Sequence, residues 1–464
     1  MNYAADYSIK NFFGMKFFGN CIVGKSFVAT LLNVGGIFFL RGEGLIRGDS
    51  VKKIFLLVLI ALMIGGCGEE TLTAEPPEEY RRTIDDDRAD VDVYFDATVS
   101  MRGYTTLAAG NVYRTLPDLL SDAGNSIGAV KFFSFGENVT ALDGRDCRKF
   151  SSPEPYSEVI TAVHNVIDAA DANHLSIIVT DLFESDADWS NISKKIRDKF
   201  FANRLALGVI GVKNSFSGEI FDVGLNAAKF HYDSQTSAQR FRPFYLMILG
   251  REAAVKNFMR KFGERQTAPN ETQYLLLSPN LSDTDELILQ TQENFFADDK
   301  LNLADKNLRE FGIDDMTEDA ALTLNFTYKP PIGALSLNAF ELKPDIKIFA
   351  RAGDDWQPLP TSTAEFVMTP IKENSFAVQF KIPPEEFRDG YINFVHAALV
   401  PTESGCELPD WIARWNMANF DADPRNFDGS KTANLLRMMT SLKDLNSAAT
   451  NPALVRLNFF VDLR

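Results

Sequence analysis

The chain is poor in the residues that carry most enzyme chemistry, with four His and four Cys among 464 residues. The cysteines are scattered without metal-ligand spacing, which excludes a zinc site of the usual pattern. His164, His174, His231 and His396 are isolated, with no nucleophile motif near any of them. No Gly-x-Ser-x-Gly, Walker or Gly-x-Gly-x-x-Gly pattern occurs, and a phosphoryl-transfer Asp-x-Asp-x-Thr would need a carboxylate where Thr98 stands. An enzyme is not expected. Basic charge is also scarce: 47 Lys and Arg face 63 Asp and Glu, for a net charge of −16. That balance argues against nucleic acid and against electrostatic docking on anionic lipid. What the chain does have is 45% hydrophobic and 24% charged residues, with 38 Phe. This is ordinary globular composition, long enough for two or three domains.

Lys52 and Lys53 precede an apolar run from Ile54 to Ile64, and Gly65-Gly66-Cys67 closes it with small residues before a cysteine. This is the layout of a secretory signal, too short for a comfortable membrane span. Ile64-Gly65-Gly66-Cys67 resembles the lipobox of bacterial lipoproteins. The resemblance implies a signal peptide over 51–66 and acylation of Cys67. The protein is then expected on the extracytoplasmic face of the bacterial cell membrane, held by its lipid. A signal belongs at the start of a protein, so Val51 is expected to be the initiator and 1–50 a mistranslated upstream segment. Residues 67–88 are acidic and polar, with Pro76-Pro77 and Asp85-Asp86-Asp87, and read as a flexible tether.

Across 89–265 strand-like and helix-like segments alternate, which predicts an α/β domain with a mainly parallel sheet and helices on both faces. Val91 to Phe95 is a β-branched and aromatic strand, Ala129 to Phe135 a second, and Ser176 to Phe183 a nearly continuous apolar one. Leu205–Val212 and Phe244–Leu249 are two more. Ile160, Val163 and Ile167 place a helix over 157–170, and Trp189, Ile192, Ile196 and Phe200 another. Pro117 is expected to end or kink the first helix.

The first strand ends on Asp96, and oxygen side chains follow at every second position as Thr98 and Ser100. Carboxylate plus hydroxyls is a ligand set for hard divalent cations. Asp96-x-Thr98-x-Ser100 resembles the metal-ion-dependent adhesion site of von Willebrand factor A domains, whose usual form is Asp-x-Ser-x-Ser. The resemblance covers somewhat under half the chain and implies a Rossmann-like fold. It also implies Ser100 and Thr98 as direct ligands of Mg²⁺ (or Mn²⁺ or Ca²⁺), with Asp96 and Asp181 acting through waters. Asp181 lies in the apolar segment Ile177-Ile178-Val179-Thr180-Asp181. The family's third loop supplies a Thr at a helix start, five residues before an Ala, and Ser157 matches that spacing to Ala162. Five oxygens leave one position for a carboxylate from a protein partner. The sequence departs from the family in Thr98, in Ser157 and in Leu182-Phe183-Glu184, where a Gly is usual.

Residues 270–464 alternate apolar and polar at Leu322–Tyr328 and Phe376–Ile382, with further strands over 390–400 and 454–463. A β-rich, sandwich-like domain is expected, with one helix around Leu435, Leu436, Met439 and Leu442. Trp411 and Trp415, four residues apart, are expected in the core. Export would permit a Cys147–Cys406 disulfide. Together these readings give a membrane-anchored lipoprotein whose A-type domain binds a protein partner with metal help. The alternative is an envelope structural or assembly lipoprotein with a metal-independent scaffold. A metal-dependent hydrolase lacks a general base.

Overall fold

The computed structural model describes residues 72–81, 87–107, 111–182, 186–223, 228–237, 239–266, 271–283, 288–291, 295–297, 301–303, 308–313, 321–337, 341–360, 365–372, 375–382, 386–402, 405–417 and 427–463. The expected signal, the initiator and Cys67 lie outside them. From Leu72 onward the chain forms one compact unit.

At its centre is a seven-stranded sheet. Its strands are β1 (Val91–Asp96), β2 (Val130–Phe135), β3 (Val139–Leu142), β4 (Leu175–Thr180), β5 (Ala206–Asn214), β6 (Arg242–Gly250) and β7 (Thr272–Leu277). Their spatial order is β7-β5-β6-β4-β1-β2-β3. The helices are α1 (Leu116–Asn125), α2 (Val163–Ala169), α3 (Asp186–Lys199), α4 (Glu252–Glu264), α5 (Asp410–Trp415) and α6 (Leu435–Thr450). Both faces of the sheet are covered. Val91, Val93 and Phe95 of β1 share a core with Leu116 and Leu120 of α1 and with Val255 and Phe258 of α4. Tyr94 points the other way, into a core with Ile192 and Ile196 of α3 and Met439 of α6. Successive residues of a strand face opposite sides, so a strand covered on both is largely apolar. That accounts for the continuous apolar runs.

The sheet is mixed rather than mainly parallel. β1 runs parallel to β2 and to β4, but β6 lies between β4 and β5 and is antiparallel to both. Parallel neighbours need a long crossover, usually a helix. Between β5 and β6 the chain forms an antiparallel hairpin instead, Ser217–Val223 against Ala228–Asp233. The return strand therefore docks beside its predecessor in the opposite sense. Pro117 also differs from expectation: it opens α1 rather than ending it, because the first turn needs no proline N–H.

Layers of the α/β region continue past residue 265. β7 pairs with β5, and α5 and α6 add to the α3 side of the core. Trp411 and Trp415 are buried, with ring centroids 5.1 Å apart. A side chain at Gly211 would collide with Trp415, so a glycine lets that ring lie on β5.

Most of the remaining strands form a six-stranded sheet, centred on Val455–Leu463, Asn393–Pro401 and Leu342–Ala352, and a four-stranded sheet containing Ala321–Thr327 and Ser375–Lys381. Phe380 of the smaller sheet meets Phe459 of the larger at 5.7 Å, giving the β-rich region its interior. Part of the expected tether is docked here. Leu72–Ala74 pairs with Leu301–Leu303, Arg351 Nη1 donates to the Thr73 carbonyl at 2.9 Å, and Trp356 Nε1 donates to the Glu75 carbonyl at 3.2 Å. Tyr80 packs against His396, Phe349 and Phe394 with centroids 4.5 to 5.6 Å away. Ala74 and Tyr80 give this acidic stretch an apolar side that a solvated tether would lack.

Cys147 and Cys406 are free, buried thiols. They lie in separate cores, Cys147 with α1 and α4, Cys406 with α3 and α6, so the permitted disulfide does not form. No helix among the described residues is long and apolar enough to cross a membrane.

Candidate functional site

In open α/β sheets, ligands bind beyond the carboxyl ends of strands, where the chain leaves one strand for neighbours on opposite sides. β1 is that strand here. The chain passes through α1 to β2 on one side and later through α2 to β4 on the other. Asp96 is the last residue of β1, and Asp181 directly follows β4.

Asp96 is 0% exposed. Thr98 donates to its Oδ1 twice, from the backbone N at 2.9 Å and from Oγ1 at 2.6 Å. Thr180 Oγ1 donates to Oδ2 at 3.2 Å. Thr98 has given its one hydroxyl proton to Asp96, so its oxygen accepts from Ser100 Oγ at 3.0 Å and from Thr161 Oγ1 at 3.4 Å. Three hydroxyl oxygens therefore converge beside one buried carboxylate. Burial, with the nearby Asp181 charge adding to it, pushes the Asp96 carboxyl up to about 7, against the pull of the Thr98 and Thr180 hydrogen bonds. The group is short of positive charge.

Asp181 has a cation, Arg242, whose Nη2 lies 3.4 Å from its Oδ2. Arg242 opens β6 and is 1% exposed. The antiparallel insertion of β6 brings the strand's first residue to the carboxyl end of β4. Arg242 Nη1 donates to the Gly429 carbonyl at 3.1 Å, and the ring of Phe216 lies 5.4 Å away. Its Nε is buried without a hydrogen-bond partner among the described residues. Gly429 belongs to the far end of the chain and fits because a side chain there would strike Tyr232.

Of the expected residues, Asp96, Thr98 and Ser100 form one hydrogen-bonded cup, and Asp181 lies close enough to raise the Asp96 carboxyl. Ser157 is placed differently. Its side chain is exposed, and its backbone N, like that of Glu158, donates to the Ala97 carbonyl at 3.1 Å. The hydroxyl that this loop brings to the cup is that of Thr161, whose Oγ1 lies 3.4 Å from Thr98 Oγ1. The cause is a later helix start, since α2 begins at Val163 rather than near 157. The Glu158 carbonyl accepts from Val99 N, which keeps 157–161 extended beside the cup. Thr161, two residues before the helix, was the legible signal. Leu182, where the family has Gly, adopts φ 54°, a conformation glycine takes freely and leucine at a cost of about 1–2 kcal/mol. Its buried side chain anchors it in the α3 core.

The donor set fits a hard divalent cation: all oxygen, two carboxylates, three clustered hydroxyls, and a negative charge that burial leaves under-compensated. Thr98, Ser100 and Thr161 would hold it with Asp96 and Asp181, and bound there it would supply a Lewis-acid seat for an anionic group. Among the described residues no group of three or more His, Cys, Asp and Glu side chains that could hold a metal ion comes together, so the carboxylates here number two and the remaining oxygens are hydroxyls. Compared with protein-family models, curated proteins and solved structures, the chain finds no match in any of the three.

Proposed function

We propose that the α/β region is a von Willebrand A-type domain, Rossmann-like in its β1–α1–β2 and β4 portion, that holds a divalent cation at Asp96, Thr98, Ser100, Thr161 and Asp181. It uses the cation to bind a protein partner. The whole is a lipoprotein tethered through Cys67 to the extracytoplasmic face of a bacterial membrane. Its role is binding rather than catalysis. The observation that carries the reading is the hydroxyl cup around a fully buried carboxylate, raised to about 7 and with no side-chain cation of its own among the described residues. Two further facts support it: the position at the switch point of the sheet, and the glycine-like conformation kept by Leu182.

A second reading, a structural or assembly lipoprotein with a metal-independent scaffold, is favoured by Arg242, which already neutralises Asp181. Calorimetric titration with Mn²⁺ separates the two. The metal reading expects saturable binding that Asp96→Ala abolishes while the fold is retained. At a hundred times the dissociation constant the cation adds about 2.7 kcal/mol of stability to the wild type and none to the variant. Equal melts of wild type in metal and in chelator leave the scaffold reading.

A further inference from the structure

The six-stranded sheet packs one face on the four-stranded sheet, and its other face carries two rows of side chains. In one row Phe349 stands opposite Phe394, and Phe394 opposite Phe460. Two residues along, Lys347, His396 and Asn458 form the second. Residues two apart on a strand share a face, so both rows point the same way. Phe394 and Phe460 are 0% exposed, and part of what covers them is the segment 72–81. Ala74 and Tyr80 belong to their cluster, and Lys347 Nζ lies 5.8 Å from the Tyr80 ring centroid. Along the segment Ala74, Pro76 and Pro77 are buried, while Thr73, Glu75, Glu78 and Glu79 are exposed. A buried proline has no N–H to satisfy.

The sheet holds this segment by its main chain. Besides the Arg351 and Trp356 bonds to the Thr73 and Glu75 carbonyls, Asn458 Nδ2 donates to the Tyr80 carbonyl at 3.4 Å. The grip is light. Leu72–Ala74 pairs only with Leu301–Leu303, and among the described residues that strand has no other neighbour. The Arg351 and Trp356 bonds are open to water. Segments with exposed backbone bonds and few apolar contacts open before the body unfolds. The chain is fastened a second time on α4, where Asn257 Nδ2 donates to Asp87 Oδ2 at 3.2 Å and Arg251 Nη2 to the Arg88 carbonyl at 3.1 Å.

These two fastenings give the expected anchor two lengths of tether. Leu72 is five residues past Cys67, and Asp87 is twenty past it. An extended chain spans at most about 3.5 Å per residue, so the reach is about 18 Å with the segment docked and about 70 Å with it released. For a flexible coil the mean anchor-to-body distance about doubles, from about 12 Å to about 25 Å. Charge gives no other reason to stay near an anionic lipid surface, since the chain carries −16.

Resting on the lipoprotein reading above, we propose that residues 72–81 are a releasable strap that sets how close the protein stands to its membrane. Docked, the strap holds the end of the β-rich region that carries Arg351 and Trp356 next to the bilayer. Released, it lets the folded body stand off on the same lipid. The turn before Asn393 lies at that end, because Arg351 N donates to the Ile392 carbonyl at 2.9 Å.

The test uses the mature full chain in phosphatidylcholine vesicles with an acceptor dye on a lipid headgroup. The donor dye is attached through Asp389→Cys, an exposed position in that turn, while Cys147 and Cys406 are buried. Two strap variants are compared with the otherwise unaltered chain. One is Tyr80→Ser. In the other, residues 72–80 are replaced by nine Gly and Ser residues, which keeps the tether's length and removes its contacts. The expected result is that energy transfer to the bilayer falls in both variants, and further in the Gly-Ser chain, as the mean tether about doubles. Equal transfer in the unaltered and Gly-Ser chains overturns the strap and leaves the lipoprotein reading standing. A mature chain whose mass shows no acyl group overturns the lipoprotein reading and the strap with it.

Discussion

Strand β1 carries two buried aspartates four residues apart, and their surroundings are opposite. At the amino end Asp92 Oδ2 lies 2.8 Å from His174 Nδ1, a local pairing that closes the loop before β4. At the carboxyl end Asp96 meets hydroxyls and another carboxylate, and burial raises it to about 7. The same residue type on the same strand is structural at one end and under-compensated at the other. The difference comes from topology. At the carboxyl end β1, β4 and the inserted β6 all bring polar residues into one crevice, whereas loops tighten the amino end.

The largest effect concerns how far the α/β region depends on the rest of the chain. A fragment of residues 89–265 contains the cup but lacks β7, α5 and α6, which cover Leu207, Val209 and Met247 in the shared core. It carries its own alternation of strands and helices, so the sequence predicts independent folding. The packing predicts that it fails to unfold cooperatively in thermal or urea melts. A sharp transition with native near-ultraviolet dichroism would show instead that the C-terminal elements are accessory.

Next in size is the contrast within β1 itself. In chelator at neutral pH, Asp92→Asn weakens a hydrogen bond to a charged group and should cost about 2 kcal/mol. Asp96→Asn should do the reverse, gaining about 1 kcal/mol by removing a buried charge repelled by Asp181. Urea denaturation of the two variants reads the signs directly. Loss of stability in both would make Asp96 a structural residue like Asp92.

The smallest effect lies on the docked segment 72–81. Burial lowers the His396 pKa below its ordinary 6.5, helped by the Arg456 and Lys347 charges against the Asn458 hydrogen bond and Asp345. Tyr80 packs against this ring. A histidine depressed in the folded state contributes stability that is present above pH 6.5 and lost as pH falls through the folded value. Hydrogen-exchange protection of residues 72–81 should therefore hold from pH 8 to 7 and weaken below about 6.5. His396→Gln should flatten that dependence. Unaltered acid lability in the variant would place the sensitive group elsewhere.

The strands were legible because burial on both faces writes a continuous apolar run, as in Leu175–Thr180. Asp96-x-Thr98-x-Ser100 was legible because its geometry is local. Direction was not: Phe244–Leu249 reads as a strand either way, and its antiparallel insertion depends on a hairpin whose partners are set in space. Arg242 went unnoticed for the same reason, since an Arg before an apolar run carries no local mark of its ion pair with Asp181. Ile160 misled in a different way. It completed a helical period with Val163 and Ile167, yet it is a solvent-facing loop residue: the helix starts at Val163 and not near Ser157, the residue that spacing to Ala162 picks out. The acidic composition of 67–88 concealed Ala74 and Tyr80, which hold its middle against the β-rich region.

Crystals of the full chain soaked in Mn²⁺ and measured at the manganese edge test the central claim most directly. The account predicts one anomalous peak at the carboxyl end of β1, with the Thr98 and Ser100 hydroxyls as direct ligands. Thr161 should be at or near the coordination sphere, Ser157 outside it, and the peak absent from Asp96→Ala crystals. A crevice free of anomalous signal at saturating Mn²⁺, with Asp96 still bonded to Thr98 and Thr180, would contradict the account.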